Sequence, residues 1–281
     1  MSLSLWRKIV NAVMLTLTGV CTVFTISVLF IILGLLLYKG GSSLNWDFFT
    51  KLPVPPGETG GGLANAIVGS AQIVGLAALI GIPIGFLAGV YLSEYEDKQF
   101  ASFVRYVADL LNGVPSIIVG ILAWTLVVLP MKTMSGLAGS IALAVMLIPI
   151  VTRQTEQFLR EVPLALREGA LALGASKWRT IATVVVPAGS KGILTGMILG
   201  VARIAGESAP LLFTALNNQY WGGLREPTAS LPVMIYKLAI SPYDDWNRQA
   251  WAAGLVLIAL VLVANISARL VLAKGVSVPR G

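Results

Sequence analysis

Six times along this chain the sequence stays apolar for far longer than a surface helix of a soluble protein would. A backbone that crosses hydrocarbon must satisfy its own N–H and C=O groups, so apolar runs of about 20 residues read as spanning helices. The first run, Val13 to Leu37, contains no charged residue. Of the 281 residues 56% are hydrophobic and 12% charged, against about 25% charged in ordinary soluble domains. The expected fold is all-α, a polytopic membrane protein of about six transmembrane helices.

The second run, Ala64 to Leu92, is interrupted by Pro83, which predicts a kink or an oblique path. The third covers Leu110 to Leu129, and the fourth, Gly136 to Thr152, is near the minimum spanning length. The fifth, Gly192 to Leu216, holds two ionisable residues, Arg203 and Glu207, and the sixth covers Trp251 to Leu272. Arg7 and Lys8 precede the first run as they would a secretory signal. That run is too long for a signal core, however, and Tyr38-Lys39-Gly40 offers no small-residue cleavage site, so it reads as a retained helix. Cys21, the chain's one cysteine, lies inside it and reads as a small apolar residue.

Positive charge sets orientation over short loops. With the N-terminus inside, Arg7, Lys8, Lys98, Arg105, Arg153, Arg160, Arg167, Lys177, Arg179, Lys191, Arg269, Lys274 and Arg280 are cytoplasmic. Outside remain Lys39, Lys51, Lys132, Arg225, Lys237 and Arg248. Both termini are therefore expected in the cytoplasm. The net charge of +7 then serves topology, and nucleic-acid binding is an over-reading of it. The Pro/Gly-rich stretch 53–62 falls outside as an extended or mobile loop, and a long loop over 153–191 falls inside. The chain reads as a single transmembrane domain over 1–281, its core about 64–272 and its first helix, 13–37, peripheral.

The inner loop carries the most specific pattern. Pro163 suits the first position of a helix, Gly174 suits its C-terminal cap, and Ser176 can cap a second helix from Lys177. Two short helices hinged at a glycine would present Leu166, Ala170 and Leu173 on one side, a shape for docking in a partner's groove. Glu168-Gly169-Ala170, then Gly174, then Val184-Val185-Val186-Pro187 resembles the EAA loop of ABC importer permeases, with Gly169 and the valines as departures from the family pattern. That resemblance implies a coupling helix that inserts into an ATP-binding subunit, with Arg167, Glu168, Gly169, Ala170 and Gly174 as its residues.

In the fifth run Arg203 sits near mid-span, where a charge costs about 2.5–3.5 kcal/mol on insertion scales. Glu207, four residues on, would share its helix face and could pair with it. Such a pair can simply neutralise itself inside a bundle. It can also hold a planar donor array toward an oxyanion in a translocation path.

Arg203-Ile-Ala-Gly-Glu-Ser-Ala-Pro210 resembles phosphate permeases of the PstA type, as do Thr228-Ala-Ser-Leu-Pro-Val-Met-Ile-Tyr236 and Gly113-Val-Pro-Ser-Ile-Ile-Val-Gly120. Sulfate and molybdate permeases also carry an Arg and a Glu four apart around a Gly, but an aromatic and a Gly follow; here Ser208-Ala209-Pro210 follows. The resemblance implies a type I ABC importer permease fold in a bacterial inner membrane. It further implies a heterodimer with a PstC-type permease, two ATP-binding subunits and a periplasmic phosphate-binding protein.

No Walker A spacing occurs, so ATP hydrolysis would belong to partners and this chain would be no enzyme. With no His and one Cys there is no metal site and no cofactor to expect. Asp109 and Asn112 read as caps of the third run, Glu94, Glu96, Asp97 and Lys98 as a solvated turn, and Tyr220, Trp221 and Trp246 as interfacial anchors. A sulfate- or molybdate-type permease remains an alternative. So does an ion-coupled secondary anion transporter, although neither inverted repeats nor paired broken helices stand out. A membrane-embedded enzyme would need a catalytic set, and none is visible.

Overall fold

The computed structural model describes residues 3–95 and 99–275, with side chains from Leu5 to Leu270. Glu96, Asp97, Lys98 and Arg280, and the side chain of Lys274, lie outside the described residues. The described residues form helices and connecting turns with no strand. In order these are α1 (Leu3–Leu35), α2 (Trp46–Thr50), α3 (Ala64–Glu94), α4 (Gln99–Gly113) and α5 (Ser116–Met131). Then come α6 (Gly136–Arg160), α7 (Leu164–Ala172), α8 (Lys177–Ala205), α9 (Ala209–Thr214), α10 (Leu231–Ala239) and α11 (Asp244–Gly275). Among them α1, α3, α6, α8 and α11 are long and apolar enough to cross a membrane, and α4 with α5, bent by 104° at their junction, makes a sixth span if the pair counts as one.

Three of the expected spans need correction. The third is not one helix from Leu110. Pro115 pushes Val114 out of the α region and cannot donate into a helix, so the chain turns at Val114–Pro115 and a new helix starts at Ser116. Before the turn, α4 presents Phe100, Phe103, Tyr106 and Leu110 to the exterior, while Arg105 and Asp109 reach toward α6. Asp109 is thus an ion-pair partner of Arg153 within α4 rather than a cap. The fourth span continues through Arg160, and α8 begins at Lys177, so the long loop over 153–191 contracts to a short connection carrying α7. The fifth span stops at Ala205. Pro210 offers no N–H to the Gly206 carbonyl, and glycine is a weak helix former, so the helix breaks at Gly206–Ser208 and restarts as α9. By contrast, α3 runs unbroken through Pro83.

The core is a slab of α3, α6 and α8, built from Ile73, Ala77, Leu143, Leu147, Val151, Ile193 and Ile204. Small residues let these backbones meet, as they do between helices in lipid generally. A Cβ at Gly89 would lie 2.5 Å from Thr155 Cβ, and one at Gly85 2.8 Å from the Ile148 carbonyl oxygen. On the other face of α6, a Cβ at Gly196 would lie 2.7 Å from Gln154 Cβ and one at Gly200 3.0 Å from Leu147. The contacts run in the same sense along α3 and α6 and in the opposite sense along α8, so α3 and α6 end together where α7 begins.

At the other end a second cluster joins Phe48, Leu63, Leu231, Met234 and Trp246. Trp246 is buried there, stacked edge-on with Tyr243 and covered by Lys237, and is no interfacial anchor; Tyr220 and Trp221 are exposed. The Gly-rich stretch is fastened: Gln249 donates to the Gly60 carbonyl at 2.6 Å, and the Gly60 N–H donates to Asp245 at 3.3 Å. Helix α1 is exposed along nearly its whole length. It reaches the rest through the π-turn Leu36–Gly40, where Leu36 packs beside Gly254 and Lys39 lies over the Trp251 ring.

Candidate functional site

Where α6 ends, the chain builds an exposed tip. Pro163 precedes α7 with ψ 135°, one position earlier than first-turn placement, and its carbonyl accepts from Leu166 N at 3.1 Å. Gly174 has φ +83°; its N–H donates to Leu171 O at 2.9 Å and Ala175 N–H to Ala170 O at 3.1 Å. That double bond pattern is the Schellman motif, and it needs the left-handed conformation glycine adopts without strain. Ser176 occupies the cap position of α8 through its backbone, with Thr180 N donating to its carbonyl at 2.9 Å, but its hydroxyl makes no cap bond. Pro187 falls inside α8, just after the π-turn Ile181–Val185.

The tip is apolar and open. Leu173 is 90% exposed and Trp178 74%, and Leu164, Leu166 and Leu171 are exposed as well, while Ala170 is half-buried. Glu168 and Gly169 are also exposed. Arg167 is different. It turns inward to ion-pair with Glu94 at the end of α3 and donates to the Leu159 carbonyl at 2.6 Å. Its side chain is 16% exposed and that of Glu94 7%, so Glu94 is no part of a solvated turn. The two lie far apart in sequence, and no local pattern pairs them.

Beside the tip, Glu156 is the centre of a buried ion network. Its carboxylate accepts from Arg105 Nε at 2.8 Å, Arg153 Nη1 at 2.5 Å and Arg160 Nη2 at 2.9 Å. Arg153 also reaches Asp109 at 2.9 Å. The network ties α4 to α6. Its helical half, with Arg three residues before Glu156 and another four after, is readable as i, i+3 and i+4 spacing; Arg105 is not.

Arg203 and Glu207 are not paired. The helix stops between them, Glu207 N–H turning back to Ile204 O at 3.2 Å, and the shared face expected from four-residue spacing does not exist. Arg203 lies one turn beyond Gly200, which touches Leu147 in the middle of α6. Its side chain is exposed on this chain, and no hydrogen bond or ion pair reaches it among the described residues. Glu207 is half-buried in the break, where α9 packs on α5: a Cβ at Gly120 would lie 2.7 Å from Pro210 Cα. A mostly apolar cleft of about 600 Å³ runs along α8, lined by Ile67, Met197, Val201, Ala202, Ala205 and Leu257 but by neither ionisable residue.

A family model described as the binding-protein-dependent transport system inner membrane component matches residues 81–274. The phosphate transport system permease protein PstA of Yersinia pestis is 46% identical over 271 residues, covering 96% of this chain and 92% of that one. Its counterpart from Haemophilus influenzae is 48% identical, covering 94% of each chain. A probable PstA of Methanocaldococcus jannaschii is 36% identical, again covering 94% of each. Among solved structures, a bacterial alginate ABC transporter bound to its periplasmic protein superposes with TM-score 0.67 at 17% identity, covering 94% of this chain and 95% of that one. The inward-facing MetNI methionine transporter gives 0.62 at 18%, covering 75% and 95%. These two share the fold.

Proposed function

The chain belongs to the family of binding-protein-dependent transport system inner membrane components, and from that membership we propose how it works as a permease subunit of an ATP-driven phosphate importer. It is a multi-pass transport subunit of an ABC complex, not an enzyme, and ATP hydrolysis belongs to separate subunits. The partners are a second, PstC-type permease, two ATP-binding subunits and a periplasmic phosphate-binding protein. The termini and the α7 tip face the cytoplasm, in keeping with the asymmetry of Lys and Arg. The chain is one transmembrane domain, with α1 peripheral.

The observation that carries the pathway reading is Arg203, a guanidinium one turn past the Gly200–Leu147 contact, exposed on this chain and without a partner among the described residues. Facing lipid it would cost about 2.5–3.5 kcal/mol or more. It therefore faces the second permease across a hydrated path, where its planar donors suit a tetrahedral oxyanion. Glu207, in the adjacent break, keeps local charge near neutral and limits how long an anion dwells there. At the other end, Leu173, Trp178 and the face with Glu168, Gly169 and Ala170 seat in a groove of an ATP-binding subunit, with Gly174 setting the turn and Arg167 holding the helix in place.

The test is phosphate uptake by the assembled complex carrying Arg203→Gln, alone and with Glu207→Gln, at matched membrane abundance. Because the two side chains are not paired, both variants should assemble and both should fail to take up phosphate. Uptake near wild type in either would remove Arg203 from the pathway.

A further inference from the structure

The two helices that flank the Gly174 turn are both fastened to one point, the end of α3. From α7, Arg167 ion-pairs with the Glu94 carboxylate and donates to Leu159 O at 2.6 Å. From α8, Lys177 Nζ donates to the Glu94 backbone carbonyl at 2.9 Å and lies 4.1 Å over the Tyr95 ring. Between these two roots the turn itself is free: Gly174 meets nothing within 4 Å on its Cβ side, and Leu173 stands fully out. The tip is thus a lever with two attached roots and an open end. We propose that Glu94 is a positioning residue for transport, receiving force from the tip through Arg167 and Lys177 and passing it to α3. The inference rests on the reading of the tip as the docking element for an ATP-binding subunit.

Physical continuity supports this. An ion pair with side chains 7% and 16% exposed is screened little, so its geometry is stiff compared with a surface pair. Downstream, α3 meets α6 backbone to backbone at Gly85 and Gly89, and α6 meets α8 at Gly196 and Gly200, one turn from Arg203. Close-packed interfaces of this kind shift as units rather than deform. A displacement at Glu94 would therefore reach the helix that carries Arg203 without crossing a flexible joint.

Glu94→Gln keeps the size of the side chain and removes the charge; Arg167→Gln and the double variant complete a cycle. Each is expressed in the assembled importer, and three quantities are read: co-purification of the ATP-binding subunits, ATP hydrolysis, and phosphate taken up per ATP hydrolysed. Glu94→Gln should leave the subunits bound and lower uptake per ATP roughly tenfold, within the range of coupling between distant sites. The double variant should be no worse than the worse single. Unchanged uptake per ATP in Glu94→Gln would overturn the proposal. So would binding, hydrolysis and uptake all falling by one factor, because that would make the pair a mere fastening. The docking reading fails separately: Leu173→Asp, at the open end, would then leave subunit binding intact.

Discussion

Replacing Glu156 by glutamine exchanges one carboxylate oxygen for an NH2 group and should be among the most damaging single substitutions in the chain. The carboxylate, 3% exposed, accepts three guanidinium bonds at 2.8, 2.5 and 2.9 Å. Glutamine offers one oxygen in place of two and turns an NH2 toward at least one guanidinium, so a donor faces a donor. It also removes the negative charge between Arg105, Arg153 and Arg160. Breaking a buried pair from one side costs about 3–5 kcal/mol. Arg153 keeps Asp109, which places the expectation at the lower end of that range. Arg160→Gln removes one bond from a side chain 37% exposed, where solvent screening limits the loss to about 1 kcal/mol or less. The measurement is the apparent melting midpoint of the detergent-solubilised chain, read as the monodisperse fraction after heating. Glu156→Gln should melt lowest, Arg105→Gln next, and Arg160→Gln close to wild type. A Glu156→Gln midpoint at or above that of Arg160→Gln would refute the view that this buried carboxylate holds α4 to α6.

Gly174 should tolerate Asn, which adopts positive φ, but not Leu, whose strain there is about 1–2 kcal/mol; a Leu variant that binds ATP-binding subunits and transports at the wild-type rate would remove the Schellman turn from the coupling role. In a Cys21→Ser background, an impermeant thiol reagent should reach a cysteine at Gly60 in intact cells and one at Ser176 only after permeabilisation, and the reverse pattern would invert the topology. Gly89→Val should destabilise by about 1–3 kcal/mol or more, because its Cβ would stand 2.6 Å from the Thr152 carbonyl oxygen; a wild-type melting midpoint would show that α3 and α6 can separate without loss.

Apolar run length located the five long spanning helices and the bent α4–α5 pair, because burial in lipid imposes a demand that any 18–25-residue window must meet by itself. The Gly174 turn was legible for a related reason: its chemistry is complete within Ala170–Ala175. What the sequence hid was everything joined across the bundle. Glu94 looked like part of a polar turn because its partner arrives from α7, and Trp246 looked like a membrane anchor because Phe48 and Leu231 cover it from distant segments. Arg203 and Glu207 failed in the opposite direction. Their spacing is right for a helical pair, and the pairing is lost because Gly206 and Pro210 end the helix between them.

Those helix breaks also bear on where an anion can pass. Irregular backbone at membrane depth persists only where protein buries it or where it lines a hydrated cavity. Here the helices that restart after Pro115 and after Glu207 pack on each other, Gly120 against Pro210, so the two interruptions support one another. Two breaks placed together supply what a single continuous apolar bundle cannot: polar backbone near a guanidinium that has no partner among the described residues. Paired broken helices are a mark of ion-coupled secondary transporters, yet they occur here in a binding-protein-dependent permease. The feature follows from the need to accommodate polar groups within hydrocarbon, whichever energy source drives the cycle. It separates pathways from packing, and it does not separate one class of transporter from another.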